Sequence, residues 1–268
     1  MTAIALTIAG SDSGGGAGIQ ADLKTFAALG VYGASVITAL TAQNTRGVTG
    51  IHDVPADFIT AQIDAVFSDL AVNAVKIGML SQVAAIDAAA GGLARHHATN
   101  IVLDPVMVAT SGDRLLANEA IEALRTKLMP RAMVVTPNLP EAAALLDRPL
   151  ARDEAEMESQ ARALLAFGAQ TVLIKGGHGT SEESVDLIVD ANSVTRLAAK
   201  RIVTKNTHGT GCTLSSAIAA GLAKGLTLHD AVGQAKDYVT AAIAAADALQ
   251  VGHGHGPLHH FHKFWSAT

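Results

Sequence analysis

The sequence predicts an α/β fold with a mainly parallel central sheet and helices on both of its faces. Short aliphatic runs alternate with longer alanine-rich segments of helical character, which is the pattern of successive β-α-β units. Hydrophobic residues make up 49% of the 268 residues and aromatic residues only 3%, as in buried parallel strands packed against helices. We expect a single domain over residues 1–268, because no repeat, linker or charge run marks a boundary.

The alternation divides into individual strands and helices. The parallel strands are predicted at residues 3–8, 33–40, 74–77, 101–103, 133–136 and 171–174. Between them, helices are predicted at residues 18–29, 56–69, 82–96, 118–127, 141–146 and 153–167. Two aliphatic runs then flank the turn-rich residues 190–193, which predicts an edge β-hairpin of residues 184–189 and 194–199. The last two helices are predicted at residues 211–224 and 227–248.

Charge and cysteine content limit the classes of partner and compartment. The formal net charge is −5 and no basic face is evident, which argues against a nucleic-acid or anionic-membrane partner. The lone cysteine, Cys212, excludes an internal disulfide and is compatible with a reducing compartment. No apolar run approaches the roughly 20 residues that span a bilayer. We therefore expect a cytoplasmic protein without a membrane partner.

A glycine-rich turn near residue 210 carries the strongest indication of chemistry. The sequence Asn-Thr-His-Gly-Thr-Gly-Cys-Thr, residues 206–213, leads straight into an alanine-rich helix. Free backbone N–H groups and the helix dipole at such a turn favour a phosphate or a developing anion. Cys212 lies in the first helical turn, where the pKa of a thiol can fall below its usual value of about 8.5. The turn predicts phosphoryl transfer, although a lone cysteine is more often a buried, inert thiol.

Polar residues collect at the carboxyl ends of the predicted strands, where open α/β sheets bind ligands. Asp104 follows the fourth strand, Glu141 lies shortly after the fifth, and Lys175 follows the sixth. Carboxylates and an ammonium group are what a site for Mg²⁺ and a polyphosphate requires. Structural explanations also exist, because Asn138 and Glu141 have the spacing of a helix capping box. Asp104 could simply end a strand, and Lys175 could be an ordinary strand-end lysine.

The N-terminal glycine cluster, residues 10–18, fails the tests for two nucleotide-binding loops. A dinucleotide fingerprint would need a third glycine where Ile19 stands. A P-loop would need a glycine directly before its lysine, whereas Lys24 lies inside the predicted helix without one. We interpret the cluster as a close backbone approach to a small ligand.

Two residues at other strand ends suggest the nature of that ligand. Gln43 presents both a hydrogen-bond donor and an acceptor, which suits the edge of an aminopyrimidine or a similar heterocycle. Met79 would form a soft apolar wall beside a ring. Alternatively, Gln43 could cap a loop and Met79 could belong to the core.

Together these residues resemble the hydroxymethylpyrimidine/phosphomethylpyrimidine kinases of thiamine biosynthesis, which have the ribokinase-like fold. The match runs nearly end to end through AGSDSGGGAGIQADLKTF, TALTAQNT, VKIGML, VLDPVMVATSG, TPNLPEA, LIKGGH, KNTHGTGCTLSSAIAA and VGHGHGPLHHFH. The resemblance implies a three-layer ribokinase-like α/β/α fold. It also implies two successive phosphorylations of 4-amino-5-hydroxymethyl-2-methylpyrimidine, with ATP as co-substrate, Mg²⁺ as cofactor and a homodimeric assembly.

The resemblance assigns an expected role to each site residue. Gln43 would hydrogen-bond to the pyrimidine and Met79 would pack on it. Three further residues would close the substrate pocket: Gly10, Ala17 and Val106. Three would bind ATP: Lys175, Thr207 and Thr210. Two would organise Mg²⁺, directly or through water: Asp104 and Glu141.

The resemblance further implies a catalytic turn of four residues: Gly209, Thr210, Gly211 and Cys212. The backbone amides of Thr210–Cys212 would form an anion hole. Cys212 would accept or guide the proton of the hydroxymethyl group in the first phosphorylation.

Two other functions remain open at this stage. A pyridoxal or pyridoxine kinase has the same fold, but some members use a second cysteine near residues 108–112, where this chain has none. Met79 also stands where a more polar neighbour would suit a pyridine aldehyde. A non-catalytic pyrimidine-sensing protein is the third function, although sensing alone would not need a complete transfer apparatus. Residues 111–113 and 177–181 are lid candidates on glycine content.

Overall fold

The computed structural model describes residues 1–107, 118–177 and 182–265. The lid candidate at 111–113, most of the one at 177–181 and the segment 108–112 fall outside these residues. The strands are β1 (Ile4–Asp12), β2 (Tyr32–Asn44), β3 (Gly47–Asp53), β4 (Ala74–Ile77), β5 (Ile101–Leu103), β6 (Val134–Val135), β7 (Thr171–Lys175), β8 (Glu183–Asp190) and β9 (Val194–Lys200). They form one sheet in the order β3-β2-β1-β4-β5-β6-β7-β8-β9. The six strands from β2 to β7 in that order are parallel, with an antiparallel pair at each edge, which confirms the predicted α/β class.

Helices cover both faces of the sheet. The helices are α1 (Gly18–Ala28), α2 (Ala56–Phe67), α3 (Val83–Arg95), α4 (Asn118–Ala123), α5 (Leu139–Leu146), α6 (Glu154–Leu165), α7 (Thr210–Ala223) and α8 (Leu228–Ala244). The predicted helix at 118–127 is α-helical only to Ala123 and continues as a wider π turn at Leu124–Leu128, shortly before Pro130. Within the described ranges, no helix is both long and apolar enough to cross a membrane.

Side-chain alternation along the short central strands produces the three layers. In β5, Ile101 and Leu103 belong to one buried cluster, whereas Val102 between them belongs to the other. Since successive side chains of a strand point to opposite faces, both faces of β5 are buried. The first cluster packs against helices α2 to α6, and the second packs against α1, α7 and α8. This burial explains the continuous aliphatic runs in the sequence.

One edge of the sheet differs from the prediction. The second strand was expected to end at residue 40, but β2 extends to Asn44 and turns back into β3, for which no strand was predicted. Most of β3 is exposed, and two of its seven residues, Gly47 and Gly50, are glycines. The strand therefore lacks the apolar pattern of a buried strand. The added hairpin matters for function, because it carries Gln43 to the carboxyl end of the sheet.

A buried ion pair lies on the face of the sheet that α1 and α7 cover. Lys76 Nζ lies 3.0 and 2.9 Å from the two carboxylate oxygens of Asp22, and both side chains are fully buried. Asp22 also accepts hydrogen bonds from Thr7 and Ser216, each at 2.6 Å. Burial by itself lowers the pKa of Lys76, but the adjacent Asp22 carboxylate more than offsets this and raises it. The pair therefore ties α1, β1, β4 and α7 together beneath the carboxyl ends of the strands.

We predict that Asp22→Ala lowers the free energy of unfolding by about 3–5 kcal/mol, because it leaves the buried Lys76 ammonium without a counter-charge. Urea unfolding followed by circular dichroism would measure the loss. Asp64→Ala is the matched control, since Asp64 pairs with Arg95 on the surface and should lose much less. Similar losses for the two variants would contradict the prediction.

Candidate active site

A crevice of about 640 Å³ opens at the carboxyl ends of the parallel strands. It runs from the N-terminal glycine loop past the ends of the central strands to the first turn of α7 and on to α8. Every residue with a predicted role lines it: Gly10, Ala17, Gln43, Met79, Asp104, Val106, Glu141, Lys175, Thr207, Gly209, Thr210, Gly211 and Cys212. Their convergence is thus observed, whereas the individual roles remain predictions.

The first turn of α7 packs directly on the N-terminal glycine loop. Gly209 is the N-cap with φ of +83°, and a Cβ atom there would lie 1.9 Å from the carbonyl oxygen of Gly16. Only glycine fits this position. Thr210 closes the turn by donating its hydroxyl to the Thr207 carbonyl oxygen at 2.7 Å. The Thr210 N–H donates to the Thr207 carbonyl oxygen at 3.2 Å. The N–H groups of Gly211 and Cys212 have no acceptor within the helix, so they are available to an anion in the crevice.

Cys212 occupies the predicted place, but its ionisation differs from the expectation. Burial raises the pKa of the Cys212 thiol to about 11, and the carboxylates of Asp22 and Asp104 act in the same direction. The Lys76 ammonium and a hydrogen bond from the Gly18 N–H oppose this increase without reversing it. The prediction that the helix N-terminus would lower the pKa of this thiol is therefore wrong. Loss of water from the thiolate outweighs the stabilisation that Lys76 and the Gly18 N–H give it.

A cluster of one cation and two carboxylates lies beside the α7 turn. Lys175 Nζ donates to Asp104 Oδ1 at 3.0 Å and lies 4.0 Å from Glu141 Oε2. Ser215 of α7 donates to the second oxygen of Asp104 at 3.2 Å. A Cβ atom on Gly211 would lie only 3.3 Å from Lys175 Nζ. The charged cluster and the anion-binding turn are therefore contiguous.

The two carboxylates of this cluster have opposite pKa shifts. Burial tends to raise the pKa of Asp104, but the ammonium groups of Lys175 and Lys76 lower it overall. For Glu141, burial dominates and, with Asp104 as a neighbour, raises the pKa to about 7, although Lys175 acts against it. Asp104 is thus the permanent anion, and Glu141 changes charge near neutral pH.

Glu141 also has the structural role that the sequence predicted. Its side chain accepts a hydrogen bond from the backbone N–H of Asn138 at 2.8 Å. The Asn138 side chain in turn accepts from the Glu141 N–H at 2.8 Å, which completes a capping box at the start of α5. The capping role of Glu141 is compatible with its predicted role at the Mg²⁺ site, because the cap holds the Glu141 carboxylate at the crevice.

The donor set fits Mg²⁺ only together with a bound polyphosphate. Within the described part of the chain, no group of three or more His, Cys, Asp or Glu side chains could hold a metal ion. Asp104 and Glu141 are two buried carboxylates next to an anion-binding turn. Mg²⁺ is commonly bound by one or two carboxylates, with phosphate oxygens and water completing its coordination.

Sequence reasoning missed a pair of charged and polar residues that joins the two glycine-rich segments. His208 Nε2 lies 2.9 Å from Asp12 Oδ2, and both side chains are almost completely buried. The Asp12 carboxylate also accepts backbone N–H groups of Gly14, Gly16 and Ala17 at 2.8–3.1 Å. Both residues occur in motifs noted above, but they lie 196 positions apart and no local pattern links them.

The substrate end predicted from Gln43 and Met79 is formed by close packing. Met79 lies over the backbone of Gly10, where a Cβ atom would come within 2.6 Å of its terminal methyl group. Thr38 holds this segment by donating to the Met79 carbonyl oxygen at 2.8 Å. The Gln43 side chain lies between Thr41 and His208. This end of the crevice is therefore partly apolar, with the Gln43 amide at its edge.

The opposite end of the crevice was not predicted. It lies between the β8–β9 hairpin and α8, and three apolar or weakly polar side chains of α8 line it: Val239, Thr240 and Ile243. Lys236 pairs with Asp186 at 2.6 Å and forms its floor. Asp186 also accepts the Gly176 N–H at 3.0 Å. An apolar slot in the same crevice as the anion-binding turn suits the base of a nucleotide.

Comparison with known proteins gives one consistent family. The family model described as phosphomethylpyrimidine kinase matches residues 12–259. Two relatives named hydroxymethylpyrimidine/phosphomethylpyrimidine kinase come from Rhizobium meliloti and Escherichia coli. The first is 63% identical over 99% of both chains, and the second is 55% identical over 97% of this chain and 98% of the relative.

Solved structures agree with the fold and with the ribokinase-like prediction. A phosphomethylpyrimidine kinase from Clostridium difficile is 44% identical with a TM-score of 0.80, over 90% of this chain and 99% of that one. An ADP complex of Bacillus subtilis pyridoxal kinase is 39% identical with a TM-score of 0.90, over 97% of this chain and 98% of that one.

We predict that Glu141→Gln removes a pH dependence of stability. Because the pKa of Glu141 is raised from 4.5 to about 7, the folded protein retains a proton that the unfolded chain releases. This stabilisation is complete below about pH 4.5 and is lost as the pH rises through 7. Between pH 5 and 8, the unfolding free energy of the wild type should therefore fall relative to the variant by about 1 kcal/mol or more.

Urea unfolding at the two pH values would measure this difference. Glu119→Gln is the control, since Glu119 is exposed on α4 and its substitution should shift stability equally at both pH values. A pH-independent difference for Glu141→Gln would be inconsistent with a proton held at this carboxylate.

Proposed function

Since this chain belongs to the phosphomethylpyrimidine kinase family and is a kinase of thiamine biosynthesis, we propose that its crevice carries out both phosphorylations of the aminopyrimidine. The observation that supports this most is the contact between the charged cluster of Lys175, Asp104 and Glu141 and the first turn of α7. The slot around Gln43 and Met79 opens into the same crevice. Acceptor and phosphoryl donor can therefore meet at the turn.

In this proposal the two ends of the crevice bind different molecules. The aminopyrimidine lies on Met79 with its polar edge at Gln43, while Gly10, Ala17 and Val106 close the slot. ATP extends from α8 towards the turn, with its phosphates at three residues: Lys175, Thr207 and Thr210. Asp104 and Glu141 would hold Mg²⁺, directly or through water, and the bound ion would neutralise charge on the phosphates.

The first reaction transfers the γ-phosphoryl group to the hydroxymethyl oxygen. A bond forms between this oxygen and the γ-phosphorus, the bond to the bridging oxygen of ADP breaks, and ADP leaves. The N–H groups of the Gly209–Cys212 turn stabilise the charge on the group in transfer. Lys175, the cation of the cluster, stabilises the negative charge on the oxygens of the same phosphoryl group.

Cys212 acts in this step as a neutral thiol beside the reacting oxygen. With a pKa raised to about 11, it holds its own proton at neutral pH and cannot remove another. We propose that it orients the hydroxymethyl group, whose proton passes to an oxygen of the transferred phosphoryl group as the bond to phosphorus forms. In the second reaction the acceptor is a monophosphate, which is largely anionic at pH 7 because its second pKa is about 6. That acceptor needs neither a base nor a partner for a hydroxyl proton.

We further propose that residues 1–268 function as one kinase domain and that the protein is a homodimer, as the family resemblance implies. Light scattering on the purified protein would test the assembly.

A coupled assay should show ADP release that depends on the aminopyrimidine, with two ADP formed for each pyrimidine consumed. Lys175→Met should reduce the rate by about 100-fold or more, because it removes a charge that stabilises the transferring group. Lys127→Met is the control, since Lys127 pairs with Asp87 outside the crevice and its loss should leave the rate unchanged. A higher kcat/KM for pyridoxal than for the pyrimidine would instead favour the activity of the Bacillus subtilis relative.

Cys212→Ala should slow the first phosphorylation about 100-fold more than the second, because only the first acceptor has a hydroxyl group to orient. Single-turnover kinetics with each acceptor would separate the two steps. Cys212→Ser should recover part of the loss, since it keeps a hydrogen-bonding group at the same place. Equal losses in both steps would show that Cys212 contributes only packing.

A further inference from the structure

We propose that residues 252–260, called the tail segment below, hold the β2–β3 hairpin that carries Gln43 at a fixed distance from the anion-binding turn of α7. All of these residues lie in the described part of the chain, and none of them lines the crevice. The tail segment therefore positions the groups that bind substrate without binding it itself. This inference rests on the proposed function, in which Gln43 contacts the aminopyrimidine and the turn binds the phosphoryl group in transfer.

The tail segment first contacts the turn of the β2–β3 hairpin. Thr45 lies in this turn, two residues beyond Gln43. Its carbonyl oxygen accepts the His255 N–H at 2.8 Å, and its hydroxyl oxygen accepts the Gly254 N–H at 3.1 Å. A Cβ atom on Gly254 would lie 2.0 Å from the Thr45 carbonyl oxygen, so only glycine allows this approach. Backbone contacts thus fix the end of the hairpin next to Gln43.

The tail segment next contacts the chain that leads into α7. The carbonyl oxygen of Gly256 accepts the His208 N–H at 3.0 Å. A Cβ atom on Gly256 would lie 2.2 Å from Oδ1 of Asn206. His208 directly precedes Gly209, the N-cap of α7. The same short segment therefore contacts both the hairpin and the entry to the anion-binding turn.

His260 extends this contact into α7 itself. Its Nε2 atom lies 3.0 Å from the hydroxyl oxygen of Thr213, and both side chains are buried. Thr213 directly follows Cys212, and its N–H donates to the Gly209 carbonyl oxygen at 2.9 Å, which closes the first helical turn. The end of the tail segment thus supports the turn from its buried side.

The tail segment is itself anchored on α8. The His259 N–H donates to the Ala242 carbonyl oxygen at 3.1 Å, and the Tyr238 hydroxyl donates to the His260 carbonyl oxygen at 2.8 Å. Leu258 is buried in the apolar cluster that packs against α7 and α8. Because this end is held by α8, the segment can keep the hairpin and the turn at a set separation.

These contacts account for the alternation of glycine and histidine in residues 252–256. Gly254 and Gly256 face Thr45 and Asn206 at close range, whereas His253 and His255 are exposed. Within the described ranges, no group of three or more His, Cys, Asp or Glu side chains could hold a metal ion. The alternation therefore serves close packing of the tail segment.

The separation matters because one substrate has to reach both places. In the proposed function the pyrimidine ring lies at Gln43, while its hydroxymethyl oxygen lies at the anion-binding turn. A misplacement of about 1 Å between reacting groups can cost about 100-fold in rate. None of the residues proposed to bind ATP belongs to the β2–β3 hairpin. Movement of the hairpin should therefore affect the pyrimidine and not ATP.

The test is the steady-state kinetics of Gly254→Ala with each substrate varied in turn. The variant should raise KM for the aminopyrimidine and lower its kcat/KM about tenfold or more, with KM for ATP unchanged. Gly233→Ala on α8 is the matched control, because its Cβ atom would meet no atom of the described residues within 4 Å. A smaller folded fraction alone would lower kcat without changing either KM.

A milder pair of variants tests the same contact without a steric clash. Thr45→Ala removes the hydroxyl that accepts the Gly254 N–H, so kcat/KM for the pyrimidine should fall about fivefold, as for the loss of one hydrogen bond. Thr45→Ser keeps this hydroxyl and should behave like the wild type. This pair decides the matter if Gly254→Ala does not fold.

An unchanged KM for the pyrimidine in folded Gly254→Ala, or an equal rise in both KM values, would overturn the inference and leave the proposed function intact. A wild type inactive on the aminopyrimidine would overturn the proposed function itself. Hydrogen exchange then decides the inference with Gly254→Ala or, if that variant does not fold, with Thr45→Ala. Faster exchange at both residues 43–47 and 208–213, with β7 unchanged, supports it. Unchanged exchange at either site overturns it.

Discussion

The packing of the N-terminal glycine loop against the first turn of α7 is the contact on which the site depends. Gly209 has no room for a side chain because the Gly16 carbonyl oxygen occupies the space, and the Asp12–His208 pair joins the same two segments. A hydrogen bond from Gly18 to Cys212 adds a third connection. Because these segments come from opposite ends of the chain, their contact brings the acceptor slot next to the anion-binding turn.

Burial of charge is the second organising feature, and it has two consequences. Beneath the crevice, Lys76 and Asp22 form a fully buried pair that joins four elements of the core. Within the crevice, Lys175 lies between Asp104 and Glu141, and its single positive charge cannot fully compensate two buried carboxylates. Burial, with Asp104 as a neighbour, raises the pKa of Glu141 to about 7 although Lys175 acts against it. A polyphosphate with its cation would change this balance on binding, so we expect the protonation of the cluster to be coupled to nucleotide binding.

Burial also explains why the position of Cys212 at a helix N-terminus does not make it a reactive thiolate. A helix N-terminus favours a thiolate only where water or a cation can also stabilise it. Here Lys76 is already engaged with Asp22, and burial raises the pKa of Cys212 to about 11. A thiol that keeps its proton is suited to orient a hydroxyl group, and a loose phosphoryl-transfer transition state makes little demand on a base.

The sequence by itself determined the features that depend on neighbouring residues. Aliphatic runs predicted the buried strands, the Asn138–Glu141 spacing predicted a capping box, and the glycine-rich turn predicted the start of α7, because each pattern expresses a local interaction. Only the tertiary structure revealed the exposed strand β3, because this strand lacks an apolar pattern. It also revealed the Asp12–His208 pair, because the two residues are far apart in sequence. It also decided the pKa values of Glu141 and Cys212, since burial and the approach of distant charges set them. Local patterns placed the reactive groups, and long-range packing determined their protonation and orientation.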